Sequence, residues 1–304
     1  KDCQVTLPKS HTFWNPWLVL SQGLFFFGTY GISYNMSQLV QLANVTYSER
    51  LWNHNGLNLC TYTWGNISLN RPTIVFLHGW LDHGDSWNTV ATLLANKGYH
   101  CLALDHRGHG HSDHLPLYEE YHFADYISDL QSLIQSHKLD DFVLVGHSMG
   151  GTIACIYSAL CSLKPHRCIL IDGLGPKHET ESEATHRFKL HLSQRSRPSK
   201  HRPITLETAI KKLHRAHSFL SQPSLEQQAL RLTEPIGDGL RQWIWDPRHR
   251  NKSAISFSLP RFLDILSHIN CPTHCVFGQH SWYQQLPDLP SRLKAIPTLQ
   301  NQIH

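Results

Sequence analysis

The sequence predicts an α/β fold: a mostly parallel central sheet with helices on both faces and an inserted helical lid. Three observations carry this. Short continuous apolar runs end at glycine or aspartate, as strands buried on both faces do. Stretches with helical apolar periodicity alternate with them, which implies βαβ units and a parallel sheet. After Asp172 the pattern changes, and strand-like character returns only at residues 273–278.

Taken in order, residues 1–44 read as a tail that carries no chemistry. Its run from Phe13 to Ile32 is aromatic and aliphatic but broken by Asn15, Pro16 and three glycines. It therefore makes a poor spanning helix and shows no clear signal-peptide cleavage site. Residues 50–66 read as a hairpin around Asn55-Gly56. Residues 72–79 and 100–105 are buried strands, with a helix over 85–97 that turns Trp87, Val90, Leu93 and Leu94 inward. A second helix over 121–137 offers Phe123, Tyr126, Ile127, Leu130 and Ile134. Residues 141–146 form a third strand, 151–160 a helix and 167–172 a fourth strand. The core is thus expected over 45–173 and 262–304, with a lid over 174–261.

Composition narrows the function. The chain has 304 residues, 40% of them hydrophobic, with a formal charge of +4. That is enough apolar material for a large core. No continuous basic tract is present to neutralise a phosphate backbone, so nucleic acid is not expected as a partner. Residues 174–260 hold 15 Lys and Arg against 8 Asp and Glu. This reads as a solvated outer face rather than an anion site, though such charge could still bias the pocket mouth towards anionic substrates. Eight cysteines are too few for a disulfide framework. Several lie in apolar runs, as reduced thiols in a cytoplasmic protein would. The 24 histidines are scattered. His106, His109 and His111 could be imagined as ligands, but the interleaved glycines suit a loop better. No metal or other cofactor is expected, and a membrane is not expected as a partner.

The chemistry is expected at Gly146-His147-Ser148-Met149-Gly150-Gly151, directly between a strand and a helix. In that context Gly-x-Ser-x-Gly marks a tight turn that lifts a nucleophilic hydroxyl above the sheet. Glycine at 146 and 150 removes collisions that side chains would make there. The turn also points Ser148 at the positive end of the following helix. The second signal is Phe76-Leu77-His78-Gly79-Trp80. The amides of Met149 and Trp80 are the expected oxyanion donors, each worth ~3 kcal/mol in an acyl-transfer transition state. His78 and Gly79 are expected to support that loop. In the third signal, residues 105–113, Arg107 is expected to tie loops together through carbonyls.

On these motifs (FLHGWLDHGDSWN, DHRGHGHSD, GHSMGG and CPTHCVFGQH) residues 47 to about 300 resemble the α/β-hydrolase superfamily. Within it the chain is similar to serine-hydrolase-like and esterase-type members. The resemblance implies hydrolysis of a carboxylic ester or related acyl bond of a small molecule, through an acyl-enzyme on Ser148. It implies an acid after the strand at 273–278, where Ser281 stands instead of aspartate. Asp172, 24 residues after the serine, is the substitute acid, with Asp288 a weaker one. It also implies a base in a loop after one more strand. His280 and His304 fit this poorly, so the last strand and helix and the catalytic histidine are expected beyond residue 304. The competing reading is an inactive, lidded binding protein. A lesser one is an acyltransferase or C–C bond hydrolase using the same serine.

Overall fold

Asn55 and Gly56 take φ of +51° and +84°, the mirror-image turn that matches strand twist. They close a hairpin between β1 (Tyr47–His54) and β2 (Leu57–Trp64). The computed structural model describes residues 25–27, 32–34, 45–195, 200–217 and 220–303. The chain divides into two units, 1–41 and 42–304. In the first, Phe25–Phe27 pairs antiparallel with Ile32–Tyr34; the rest of the expected tail lies outside the described residues.

The second unit is built on an eight-stranded sheet. After the hairpin come β3 (Thr73–Leu77), β4 (Cys101–Leu104), β5 (Phe142–His147) and β6 (Arg167–Ile171). The last two strands are β7 (Thr273–Val276) and β8 (Leu299–Ile303). The order is β8-β7-β6-β5-β3-β4-β2-β1. The pairs β1–β2 and β2–β4 are antiparallel, and the others are parallel. Residues 299–303 add an edge strand beside β7. The sequence there, Leu-Gln-Asn-Gln-Ile, is too polar to announce a strand; pairing against β7 supplies the order.

The helices are α1 (Asn88–Asn96), α2 (Phe123–Ser136) and α3 (Met149–Leu160). α1 buries Val90, Ala91 and Leu94 and leaves Leu93 half-buried. α2 buries Tyr126, Leu130 and Ile134 as expected, but Phe123 is exposed and Leu133 and Asp129 are buried instead. Asp129 is tolerated because Arg107 grips it with two charge-assisted hydrogen bonds of 2.8 and 2.6 Å. Arg107 therefore acts through carboxylates, since it also reaches Asp125 at 3.3 Å, and not through carbonyls as expected. The core runs from Leu59, Val75 and Leu77 through Phe142 and Leu144 to Ile153, Tyr157, Cys275 and Phe277. The seven described cysteines are free and buried.

Between β6 and β7 the expected helical lid contains both helices and strands. Its helices are α4 (Glu181–Arg195), α5 (Leu206–Ala216) and α6 (Gln222–Arg231). A small antiparallel sheet accompanies them, in the order Thr233–Gly237, Leu240–Trp243, Ile204–Thr205. This segment has its own apolar cluster: Ile204, Ala209, Leu213, Leu225, Ala229, Leu232, Trp243 and Trp245, with Leu81 packed against it. α4 buries no residue, and two of its cations pair with carboxylates, Arg187 with Glu179 and Arg195 with Glu120. α7 (Leu259–Ser267), capped by Ser258, inserts Phe262 and Leu266 into the main core, with the partly buried Phe257 packed against it. A short α8 (Leu289–Lys294) precedes β8. Among the described residues no helix is long and apolar enough to cross a membrane.

Replacing Arg107 with alanine leaves Asp129 buried without its cation. The expected loss is about 3–5 kcal/mol of unfolding free energy, read by chemical denaturation. A change below 1 kcal/mol would contradict the pairing described.

Candidate active site

β5 ends at His147 and α3 begins at Met149, so one residue, Ser148, makes the whole connection. It takes φ +52° and ψ −113°, a conformation costly for a residue with a side chain. The turn is held by Ser148 N–H donating to Ile171 O at 2.9 Å and by Thr152 N–H donating to Ser148 O at 3.2 Å. It closes because backbones touch. A Cβ on Gly146 would lie 2.4 Å from Gly150 O, and one on Gly150 would lie 2.2 Å from Leu77 O. Ser148 and Met149 are half-buried at the carboxyl edge of the sheet, over the first turn of α3. The amides of that turn have no partner within the helix.

The loop after β3 runs beside the serine. A Cβ built on Gly79 would come within 3.4 Å of the Ser148 Cβ and 3.0 Å of His147 Nδ1. The Trp80 amide therefore follows a residue already in contact with Ser148, while the Trp80 side chain is 52% exposed. His78 is wholly buried and fixes this loop. Its Nε2 accepts from His106 N–H at 3.0 Å, so its Nδ1 carries the proton and donates to Gly79 O at 2.7 Å. Burial, reinforced by His106 and His109, holds its pKa well below the ordinary histidine range.

Asp172 directly follows β6, the strand beside β5, and takes φ +44°. Its N–H donates to Val276 O at 2.9 Å, and its carboxylate accepts from Gly278 N–H at 3.2 Å. The next residues are clamped from beyond β7. Tyr283 Oη donates to Gly175 O and accepts from Leu174 N–H, at 2.6 and 2.9 Å. The fully buried Arg292 donates to the carbonyls of Leu174, Gly175 and Pro176 and to Asp288. Asp288 is thus engaged with Arg292. Ser281 Oγ accepts from Tyr283 N–H and caps a single turn of 3-10 helix. Sequence reading missed Tyr283 and Arg292. The signal available was the i, i+4 spacing of Asp288 and Arg292, a carboxylate and a guanidinium on one side of a helix.

His147 is lowered by burial, partly opposed by the Asp172 charge, with His217 of the lid adding to the lowering. Among the described residues no histidine hydrogen-bonds the Ser148 hydroxyl. His304 lies outside them. Beneath the loops, His78, His106, His109 and His249 form a chain of ring contacts with centroids 4.0–5.2 Å apart. His106, His109 and His111 do not converge as a ligand set.

The fold and this edge of the sheet define the class. A family model for the α/β hydrolase fold matches residues 72–256, more than half the chain, and the chain belongs to that family. It is 29% identical over 233 residues to a serine hydrolase-like protein of Danio rerio, covering 74% of this chain and 70% of that protein. A serine hydrolase-like protein of Dictyostelium discoideum is 25% identical over 237 residues, covering 75% and 66%. Among solved structures, the thioesterase domain from the curacin biosynthetic pathway superposes with a TM-score of 0.75 at 27% identity, covering 85% of this chain and 92% of that one. These likenesses support a hydrolase.

Two outcomes follow from this geometry. Gly150→Ala drives a Cβ into Leu77 O and is expected to cost about 1–3 kcal/mol, read as a lowered melting temperature. The second concerns acid. Burial lowers His83 and His106 to about 3, His109 to about 4 and His249 to about 2, with His78 also well below normal. Unfolding lets all five bind protons below pH ~6.5, so stability falls as pH drops. Asp105, raised by burial to about 7, and Asp82, raised to about 6, oppose this. The net expectation is a loss on the order of 2–5 kcal/mol between pH 6.5 and 5, measured by denaturant titration at each pH.

Proposed function

We propose that the protein is a serine hydrolase that cleaves a carboxylic ester or related acyl bond of a small molecule through an acyl-enzyme on Ser148. The observation that carries this is the backbone of Ser148, held at φ +52° and ψ −113° between β5 and α3. Such a turn stabilises nothing locally; its effect is to expose one hydroxyl above a helix N-terminus. In this reading Gly146, His147 and Gly150 form the elbow. The amides of Met149 and Trp80 stabilise the oxyanion as the carbonyl becomes tetrahedral. His78 and Gly79 hold the second donor's loop. Asp172 is the acid that would orient a histidine base. The thioesterase and serine hydrolase-like names of similar proteins support acyl chemistry in general and leave the leaving group open.

A second reading, a lidded binding protein without turnover, is favoured by two observations. Ser281 is a cap where the superfamily pattern has an acid, and no described histidine bonds the Ser148 hydroxyl. Fluorophosphonate labelling separates the two. The first reading expects an adduct on Ser148 and its loss in Ser148→Ala. It also expects ester or thioester hydrolysis to fall at least ~10³-fold in Ser148→Ala, with Asp172→Asn retaining the adduct but losing turnover. A folded protein with no adduct and no hydrolysis supports the binder.

A further inference from the structure

We propose a binding site for a divalent transition-metal ion such as Zn2+, made by Glu49, Cys60 and His111, on the sheet edge away from the serine. Their ligand atoms, a carboxylate oxygen, Sγ and an imidazole nitrogen, all lie within 4.8 Å of one another. His111 Nδ1 is 2.7 Å from Glu49 Oε1, and Cys60 Sγ is 3.5 Å from the same oxygen. Tetrahedral zinc at ~2.0–2.3 Å from its ligands holds them roughly 3.4 Å apart. The sulfur–oxygen spacing already fits, and the nitrogen–oxygen pair needs only to open by a fraction of an ångström.

The three ligands come from three segments, β1, β2 and the loop after β4, yet each is fixed independently. Glu49 lies opposite Tyr62 and Leu51 opposite Cys60, so Glu49 and Cys60 are diagonal neighbours on one face of the hairpin. Cys60 N–H donates to Ser112 Oγ at 2.8 Å, and Cys60 O accepts from Asp105 N–H at 2.8 Å. His111 N–H donates to the buried Asp105 carboxylate at 2.8 Å. The loop carrying His111 is thereby pinned over Cys60. Glu49 and His111 are exposed and form the route in, while Cys60 is buried beneath them.

The donor set matches the ion. A thiolate and an imidazole favour zinc or cobalt over magnesium or calcium. One thiolate and one carboxylate neutralise a 2+ charge, and a water completes four-coordination. Binding forms the sulfur–metal bond as the thiol proton leaves to solvent, with no change of oxidation state. The ion would staple the outer hairpin to the loop 105–113. In the strand order this lies three places from β5, so the site is separate from Ser148.

The test titrates the full chain with Co2+ and reads thiolate-to-cobalt charge-transfer absorption in the near ultraviolet. One equivalent is expected to produce it, and Zn2+ to displace it. Zn2+ is also expected to raise the melting temperature by at least about 2 °C. His111→Ala and Glu49→Gln, both at exposed positions, are expected to weaken binding at least tenfold. Cys60→Ser is expected to abolish the absorption. Absence of the band in the unaltered chain overturns the proposal. So does a band that survives Cys60→Ser, or an affinity unchanged in both surface variants. Fluorophosphonate labelling of Ser148 is expected to proceed equally with and without the metal.

Discussion

One close approach governs the catalytic edge: the backbone of β5 and α3 folding back on itself around Ser148. Gly146 faces Gly150 O, and Gly150 faces Leu77 O, with room for hydrogen and nothing larger. The strain of Ser148 persists only because strands on both sides hold it. Ile171 O takes its N–H, and β3 on the other flank sends Gly79 across its side chain. Remove the parallel sheet and no local preference would keep a serine in that conformation.

The loops around the turn are made rigid by buried polar groups with defined partners. His78 can bridge Gly79 O and His106 N–H only as one neutral tautomer, and burial enforces that neutrality. Arg292 does the corresponding work for Asp172, spending its guanidinium on three successive carbonyls of the segment that follows it. Both sides of Ser148 are thus set by side chains that do not face the site. Buried groups so fully engaged favour one arrangement, because any other leaves a desolvated donor or acceptor unpaired. The lid makes a looser match. Its cluster is closed around Trp243 and Trp245, and Leu81, one residue from Trp80, joins it to the loop beside the serine.

Strands β3 to β7 were legible because both faces are buried and the runs are uninterrupted, so apolar character alone marks them. The hairpin was legible because Asn-Gly is among the few pairs that tolerate both positive φ values at low cost. β8 was not, since an edge strand with Gln and Asn carries no apolar signal. The lid's small sheet was missed because strands of two to five residues are too short to show an alternation. Arg107 was placed in the right loop with the wrong partner, because its partner Asp129 sits on what the periodicity marks as an apolar face of α2.

The sequence by itself determined the parallel sheet, the turn at Ser148 and the chemical type of side chain it displays. Those are properties of local patterns: apolar runs, and glycines at fixed offsets from a serine. Tertiary structure alone decided that Asp172 accepts from Gly278, that Arg292 and Tyr283 clamp its loop, and that Glu49, Cys60 and His111 converge. Apart from the hairpin neighbours Glu49 and Cys60, 11 positions apart, these contacts join residues 62 to 118 positions apart. Chain entropy gives such pairs no preference until the sheet fixes the strands that carry them.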